Sequence, residues 1–213
     1  MLAAVLSGTP PAGTPAGTPA DPLAAAIEHY QTVESYRVTI HSSHADGVEE
    51  IRYYYKKPGW VRMEFMRPHA GAVLVYNPDS QRVRLWPFGI GRFPELNLSP
   101  DNFLIQSSRG QRVDHSDVGA LFENIRILRE GGEAVVSGVE NKDGHTVVPL
   151  IVTGADGVTI AKVHRYELWL DMASQFPVKV ISRDGQNAVM ETVLLEALEI
   201  NPTLPDTWFN PQK

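Results

Sequence analysis

Between Tyr36 and Trp86 apolar and polar residues alternate with period two, as expected of strands that bury one face. Tyr36, Val38 and Ile40 stand against Arg37, Thr39 and His41; Ile51, Tyr53 and Tyr55 against Arg52, Tyr54 and Lys56; Val61, Met63 and Phe65 against Trp60, Arg62 and Glu64. Alternating runs at 72–76 and 82–86 follow, split by Asn77-Pro78-Asp79-Ser80, and Ala45-Asp46-Gly47 and Pro58-Gly59 mark two earlier turns. Such closely spaced strands predict an antiparallel meander of about five. Just before it the period is helical. Asp21-Pro22 offers a capping carboxylate and a first-turn proline, and Leu23, Ala26, Ile27, Tyr30 and Val33 recur on one face, predicting a helix to about Ser35.

Residues 87–115 are irregular, with Gly89, Gly91, Pro94 and Pro100 and a turn of helix expected near Pro100–Gln106. Ser116 or Asp117 then caps a second helix, whose stripe is Val118, Leu121, Phe122, Ile125 and Leu128 and whose stop is Gly131-Gly132. Strands resume at Ala134–Val139, Thr146–Val152, Val163–Leu170, Val178–Arg183 and Val189–Ile200. Strands and helices do not alternate one by one, so a parallel sheet is disfavoured. The expected class is α+β: one large curved antiparallel sheet, a half-open barrel of about ten to eleven strands, with helices covering the concave face as a lid.

A sheet of that size must curl or be covered, and an incompletely filled barrel holds an apolar ligand. The predicted lining is Tyr36, Val38, Ile40, Tyr53, Tyr55, Val61, Met63, Phe65, Leu74 (or Val75), Leu85 and Leu168 (or Trp169) on the strands, with Leu121, Phe122 and Ile125 on the second helix. The alternative is a trough packed solid by the helices. Lys57 shares the parity of Tyr53 and Tyr55, so a charge ends an apolar strand face beside the Pro58 turn. Either its head group turns out to solvent, or it donates to the lid helix or to a ligand head group.

The chain has 213 residues, a formal net charge of −6, 43% hydrophobic residues and no cysteine. Thiolate catalysis, disulfides and cysteine-based zinc sites are excluded. No lysine–arginine cluster offers a nucleic-acid footprint, and no nucleic-acid partner is expected. Met1–Leu6 is far shorter than the about 20 apolar residues a transmembrane helix needs, so no transmembrane segment is expected. Residues 8–20, GTPPAGTPAGTPA, lack both charge and large apolar side chains; residues 1–20 read as a disordered tail, with a signal-peptide remnant as the alternative, and 21–213 as one domain.

Catalytic signals are weak. His41 and His44, three apart in a strand, point to opposite faces and make poor partners for one metal ion. Asp114-His115-Ser116-Asp117 resembles a hydrolytic cluster but also has what a helix start needs. Glu49-Glu50, Glu64, Glu167, Glu191, Glu196 and Glu199 are assigned largely to polar strand faces. No nucleophile elbow, phosphate loop, zinc-protease motif or dinucleotide fingerprint occurs, and the expectation is a non-enzyme without metal or cofactor.

Several segments, in this order, resemble the LolA/LolB lipoprotein-carrier superfamily over about Ala24 to Pro211. They are the helix leading into Val33-Glu34-Ser35-Tyr36-Arg37-Val38; Tyr55-Lys56-Lys57-Pro58-Gly59-Trp60-Val61-Arg62-Met63-Glu64-Phe65; Leu74-Val75-Tyr76-Asn77 with Val83-Arg84-Leu85-Trp86; the helix from Asp117; and Leu204-Pro205-Asp206-Thr207-Trp208-Phe209-Asn210-Pro211. The resemblance implies a periplasmic half-barrel under a helical lid whose cavity takes lipoprotein acyl chains or lipid, with a membrane-associated donor or acceptor protein as partner. It also implies a lid-holding basic residue at Lys57, where the carrier proper has arginine. The segment from about Gly89 to His115 is longer than in the carrier, and its C-terminal extension is not evident. These departures fit a distant member, and the alternative is a protein-interaction or envelope-stress sensor module of the same fold.

Overall fold

The computed structural model describes residues 21–106 and 111–211; the tail expected over 1–20 lies outside them. Asp21 caps α1 (Pro22–Gln31) by accepting from the Ala24 N–H at 3.1 Å. The helix stops at Thr32, short of Ser35, because Ser35 already pairs with Lys56 as the first residue of a strand.

Five strands follow: β1 (Ser35–His44), β2 (Gly47–Lys56), β3 (Trp60–Arg67), β4 (Val73–Asn77) and β5 (Arg82–Trp86). A three-residue β6 (Leu96–Leu98), which the sequence pattern does not predict, lies within the irregular stretch and adds to β5 through Leu85↔Leu96 and Val83↔Leu98. The segment 100–106 forms turns and no helix. Asp117, rather than Ser116, caps α2 (Val118–Arg129), accepting from the Gly119 and Ala120 N–H groups at 2.7 and 3.2 Å. Then come β7 (Glu133–Val136), a second short unpredicted strand β8 (Glu140–Lys142), β9 (His145–Thr153), β10 (Arg165–Asp171), β11 (Pro177–Arg183), β12 (Val189–Ile200) and α3 (Asp206–Phe209).

Among the described residues all twelve strands form one antiparallel sheet, ordered β6-β5-β4-β3-β2-β1-β12-β11-β10-β9-β7, with β8 pairing β9. The sheet is open, since β6 and β7 do not meet. The β1–β12 pairing (Tyr36↔Ile200 to His44↔Glu191) joins the two meanders across almost the full chain length. The two extra short strands raise the expected count to twelve and leave the class and the half-barrel architecture unchanged.

The main core lies on the concave face, where α1 and α2 pack against β9 and share one buried cluster with Leu74, Leu150, Val152 and Leu168. The helices run antiparallel and are pinned at both ends: Arg129 donates to Asp21 at 2.8 Å, and the Tyr30 hydroxyl donates to Asp117 at 2.8 Å. Gly119 permits this contact, because a Cβ there would collide with the Tyr30 ring. A second core, Tyr54, Val73, Val75, Trp86, Leu204 and Phe209, covers the convex face. There α3 lies across the outside of the sheet, held by Arg62 donating to the Trp208 carbonyl at 2.7 Å and Arg84 to the Pro211 carbonyl at 3.0 Å. One helix is thus outside the expected lid, and Val75, offered as an alternative lining residue, belongs to the outer core.

Candidate functional site

The helices do not fill the concave face. A cavity of about 1130 Å³ remains between the inner faces of β1–β5 and β10–β12 and the segment leading into α2. Nine predicted residues line it: Tyr36, Val38, Ile40, Tyr53, Met63, Phe65, Leu74, Leu85 and Leu121. The solid trough is thereby set aside.

Five predicted lining residues sit elsewhere, among them Leu168, which is fully buried in the main core, while its alternative Trp169 does not line the cavity either. Tyr55 faces the concave side but stacks on Tyr36 at 5.2 Å between ring centroids and tilts against Tyr30 at 6.3 Å, and Val61 is buried in the same packed region. Phe122 and Ile125 face the sheet from α2, Phe122 meeting Tyr30 edge-on at 6.1 Å. The α2 stripe is really two adjacent ones. Phe122, Ile125 and Leu128 pack down; Asp117, Leu121 and Asn124 border the cavity. Apolar spacing alone does not separate a filled stripe from a cavity-facing one.

A tyrosine cluster closes this end of the cavity. Tyr36 stacks on both Tyr53 and Tyr55, and its hydroxyl accepts from the Val118 N–H at 3.1 Å, taking up one of the free donors at the start of α2. Ser116 donates to the Val113 carbonyl at 2.6 Å, so the Tyr53 hydroxyl donates to Ser116 across their 3.0 Å contact. Burial, reinforced by the nearby Asp117 carboxylate, pushes the Tyr53 and Tyr30 phenols far above their ordinary value, and burial does the same to Tyr36. They stay protonated and act as fixed dipoles. The Asp114–Asp117 segment is thus largely absorbed by structure: Asp117 caps α2 and holds Tyr30, and Asp114 takes a two-pronged contact from Arg112 at 3.0 and 2.6 Å.

Lys57 is outside the cavity lining. Its ammonium donates to the carbonyl of Gln31, the last residue of α1, at 2.7 Å and to Glu34 at 3.2 Å, so of its expected roles it makes the contact to the lid helix. A cation at a helix C-terminus satisfies an orphan carbonyl and complements the helix dipole. His41 contacts Glu196 at 3.2 Å, while His44 is turned toward Asp46 and Glu49 with a largely buried side chain.

The far end, toward the β1–β2 hairpin, differs in chemistry. Glu49 and Glu191, assigned from sequence to polar strand faces, line the cavity, as do the buried Ser42 and Ser182. The β1–β2 register puts Ser42 opposite Glu49, and the β11–β12 register puts Ser182 opposite Glu191. Strict alternation from Tyr53 and Ile51 to Glu49 carries that parity in the sequence, but a glutamate continuing an apolar face defeats a reading by polarity. In β12, VMETVLLEALEI, the consecutive apolar residues hide the parity that brings Val193 and Leu195 inward and leaves Leu194 exposed. Across from these residues the rim is apolar: Pro68, Ala70, Pro87, Phe88, Leu104 and Ile105 line it, and Phe93 and Phe103 nearby in sequence are 93% and 80% exposed.

No protein-family model matches the sequence, and neither does any curated protein. Solved structures do share the fold. An uncharacterized conserved protein from Thermus thermophilus superposes with a TM-score of 0.55 at 11% identity, over 90% of this chain and 92% of that one. The Mycobacterium tuberculosis lipoprotein LppX gives 0.52 at 10% identity, over 86% and 95%. The Pseudomonas aeruginosa MucA/MucB complex gives 0.51 at 16% identity, over 86% of this chain and 60% of that one. At these identities the likeness is one of fold alone: the half-barrel.

Proposed function

We propose that this chain is a non-catalytic binder or carrier of an apolar ligand, an acyl chain of a lipid or lipoprotein, held in the half-barrel cavity. The observation that carries this reading is the cavity of about 1130 Å³ with Val38, Ile40, Ile51, Met63, Phe65 and Leu85 on its walls. An apolar space larger than the usual range of about 300–1,000 Å³ for small-molecule sites favours a long flexible occupant. Each methylene buried there contributes up to about 0.8 kcal/mol, so a chain of about a dozen carbons binds without any charged contact. The fold shared with the lipoprotein LppX supports an exported, periplasmic setting. No helix among the described residues is long and apolar enough to cross a membrane. Delivery to or from a bilayer would involve a membrane-associated donor or acceptor.

Native mass spectrometry of gently purified protein, followed by organic extraction, tests the reading. A lipid or acyl species released on denaturation is the expected result, and Phe65→Glu or Met63→Glu should abolish its retention. A clean apo mass together with no uptake of an added fluorescent fatty acid would remove the carrier role. That result would favour the second reading, a sensor or interaction module. The fold shared with MucB of the MucA/MucB complex and the exposed Phe93 and Phe103 support that alternative.

A further inference from the structure

The cavity is asymmetric along its length, and the polar end has a definite chemical sense. Strands β2, β1, β12 and β11 are consecutive neighbours, and on their concave side they carry in turn Glu49, Ser42, Glu191 and Ser182. This makes a transverse polar row across a wall otherwise built by Ile40, Ile51, Val180 and Val193. Ser42 and Ser182 are only 4% and 3% exposed, so the row belongs to the cavity wall and not to a solvated edge.

Its hydrogen-bonding capacity is one-sided at Glu49, Ser42 and Glu191. A carboxylate only accepts, and Ser42 has spent its single hydrogen on Glu191 at 2.5 Å, so its oxygen too can only accept. Behind the row, His44 Nδ1 accepts from the Asp46 N–H at 3.3 Å, which leaves the ring hydrogen on Nε2. That atom is buried without a hydrogen-bond partner among the described residues and lies 3.8 Å from Glu49. It is too far for a hydrogen bond but backs the carboxylate with a positive dipole end. The other charged or titratable groups on the lining toward this end are Lys162, on an exposed turn before β10, and His69, on the β3–β4 turn. Arg112 is already paired with Asp114, and His115 belongs to the segment leading into α2.

We infer that the Glu49–Ser42–Glu191–Ser182 row is a head-group site for an amphiphile whose polar end donates hydrogen bonds, an amine or a set of hydroxyls, and that it discriminates against anionic carboxylate or phosphate heads. This deepens the proposed function and rests on it: the tail occupies the apolar stretch toward the tyrosine cluster, and the head stops at the row. A donor head meets acceptor oxygens along the wall. An anionic head would add a negative charge beside two carboxylates, with the Lys162 ammonium to offset it.

Calorimetric titration of the delipidated full chain with dodecylamine, a dodecyl glycoside and dodecanoate, each below its aggregation threshold, tests this. Dodecylamine and the glycoside should each bind about tenfold or more tightly than dodecanoate. Tighter binding of the amine than of the glycoside would identify charge as the selected property, and the reverse would identify hydroxyls. In the E49Q/E191Q variant the preference over dodecanoate should vanish while the glycoside still binds, which shows that the cavity is intact. Equal affinity for all three ligands in the unmodified protein, or an unchanged preference in the variant, overturns the head-group site and leaves the carrier reading standing. Binding of none of them overturns both.

Discussion

The two ends of one concave sheet face make an instructive contrast. Toward the tyrosine cluster, Tyr36, Tyr53 and Tyr55 meet Tyr30, Phe122 and Phe176 in a continuous aromatic core, and the Tyr30, Tyr36 and Tyr53 hydroxyls that close the seam to α2 are all hydrogen-bonded. Toward the β1–β2 hairpin the same strands present side chains to an open cavity. The backbone ladders are continuous from one end to the other, so regularity of the sheet does not distinguish them. What differs is the cover. The helices α1 and α2 reach over one end only, and burial energy concentrates there while binding capacity is left at the other.

Substitutions at the two ends should therefore separate stability from binding. The largest effect is expected for Phe122→Ala, which empties a buried aromatic site under α2 and should cost about 3–5 kcal/mol in urea unfolding. An effect below about 1 kcal/mol would mean that the covered end is less tightly packed than its contacts imply. Next comes Asp117→Ala. It removes the α2 cap and leaves the Tyr30 hydroxyl without its acceptor, for an expected loss of about 1–3 kcal/mol. Asp117 also borders the cavity, so unchanged ligand affinity in this variant would show that its role is structural.

Leu85→Ala, at the cavity wall, should cost less than about 1.5 kcal/mol because the side chain is already partly uncovered, but should weaken retention of an acyl chain. The opposite ordering, Leu85→Ala more damaging to folding than Phe122→Ala, would break the contrast.

The smallest expected effect is on acid stability. Partial burial pushes the Asp171 carboxyl up, but hydrogen bonds from the Ser174 N–H and hydroxyl, both at 2.8 Å, and from the His145 ring at 3.1 Å outweigh it and hold the carboxyl below its ordinary value. A carboxyl with a depressed folded-state pKa stabilises the fold above its unfolded value near about 3.9, and that contribution disappears as pH falls through the folded value. Asp171→Asn should therefore flatten the acid limb of a stability–pH curve below about pH 4, and an unaltered limb would assign acid sensitivity to other carboxylates.

Much of the architecture is legible in the sequence because its signals are local. Period-two alternation places β1 to β5 and the inner faces of all but β4, Asp21-Pro22 and Ser116 or Asp117 supply cap chemistry, and the absence of strand–helix alternation disfavours a parallel sheet. The short β6 and β8 escape because three residues carry too little periodicity. The first helix reads too long because the helical hydrogen bonds given up by ending it at Thr32 are replaced by sheet pairing from Ser35 onward, a contact with residues far along the chain.

Side-chain parity is a property of the strand, and so the sequence by itself determined which apolar residues face inward on β1, β2, β3 and β5, while on β4 it left Leu74 and Val75 as alternatives. Whether an inward residue meets a helix, empty space or a ligand depends on the reach of elements distant in sequence, and only the tertiary structure decided that. Tyr55 and Met63 have the same parity rule and opposite fates because α1 extends over one and not the other. The polar row likewise exists only through pairing: Glu49 and Glu191 are separated by most of the chain and share a wall because β1 joins β2 to β12.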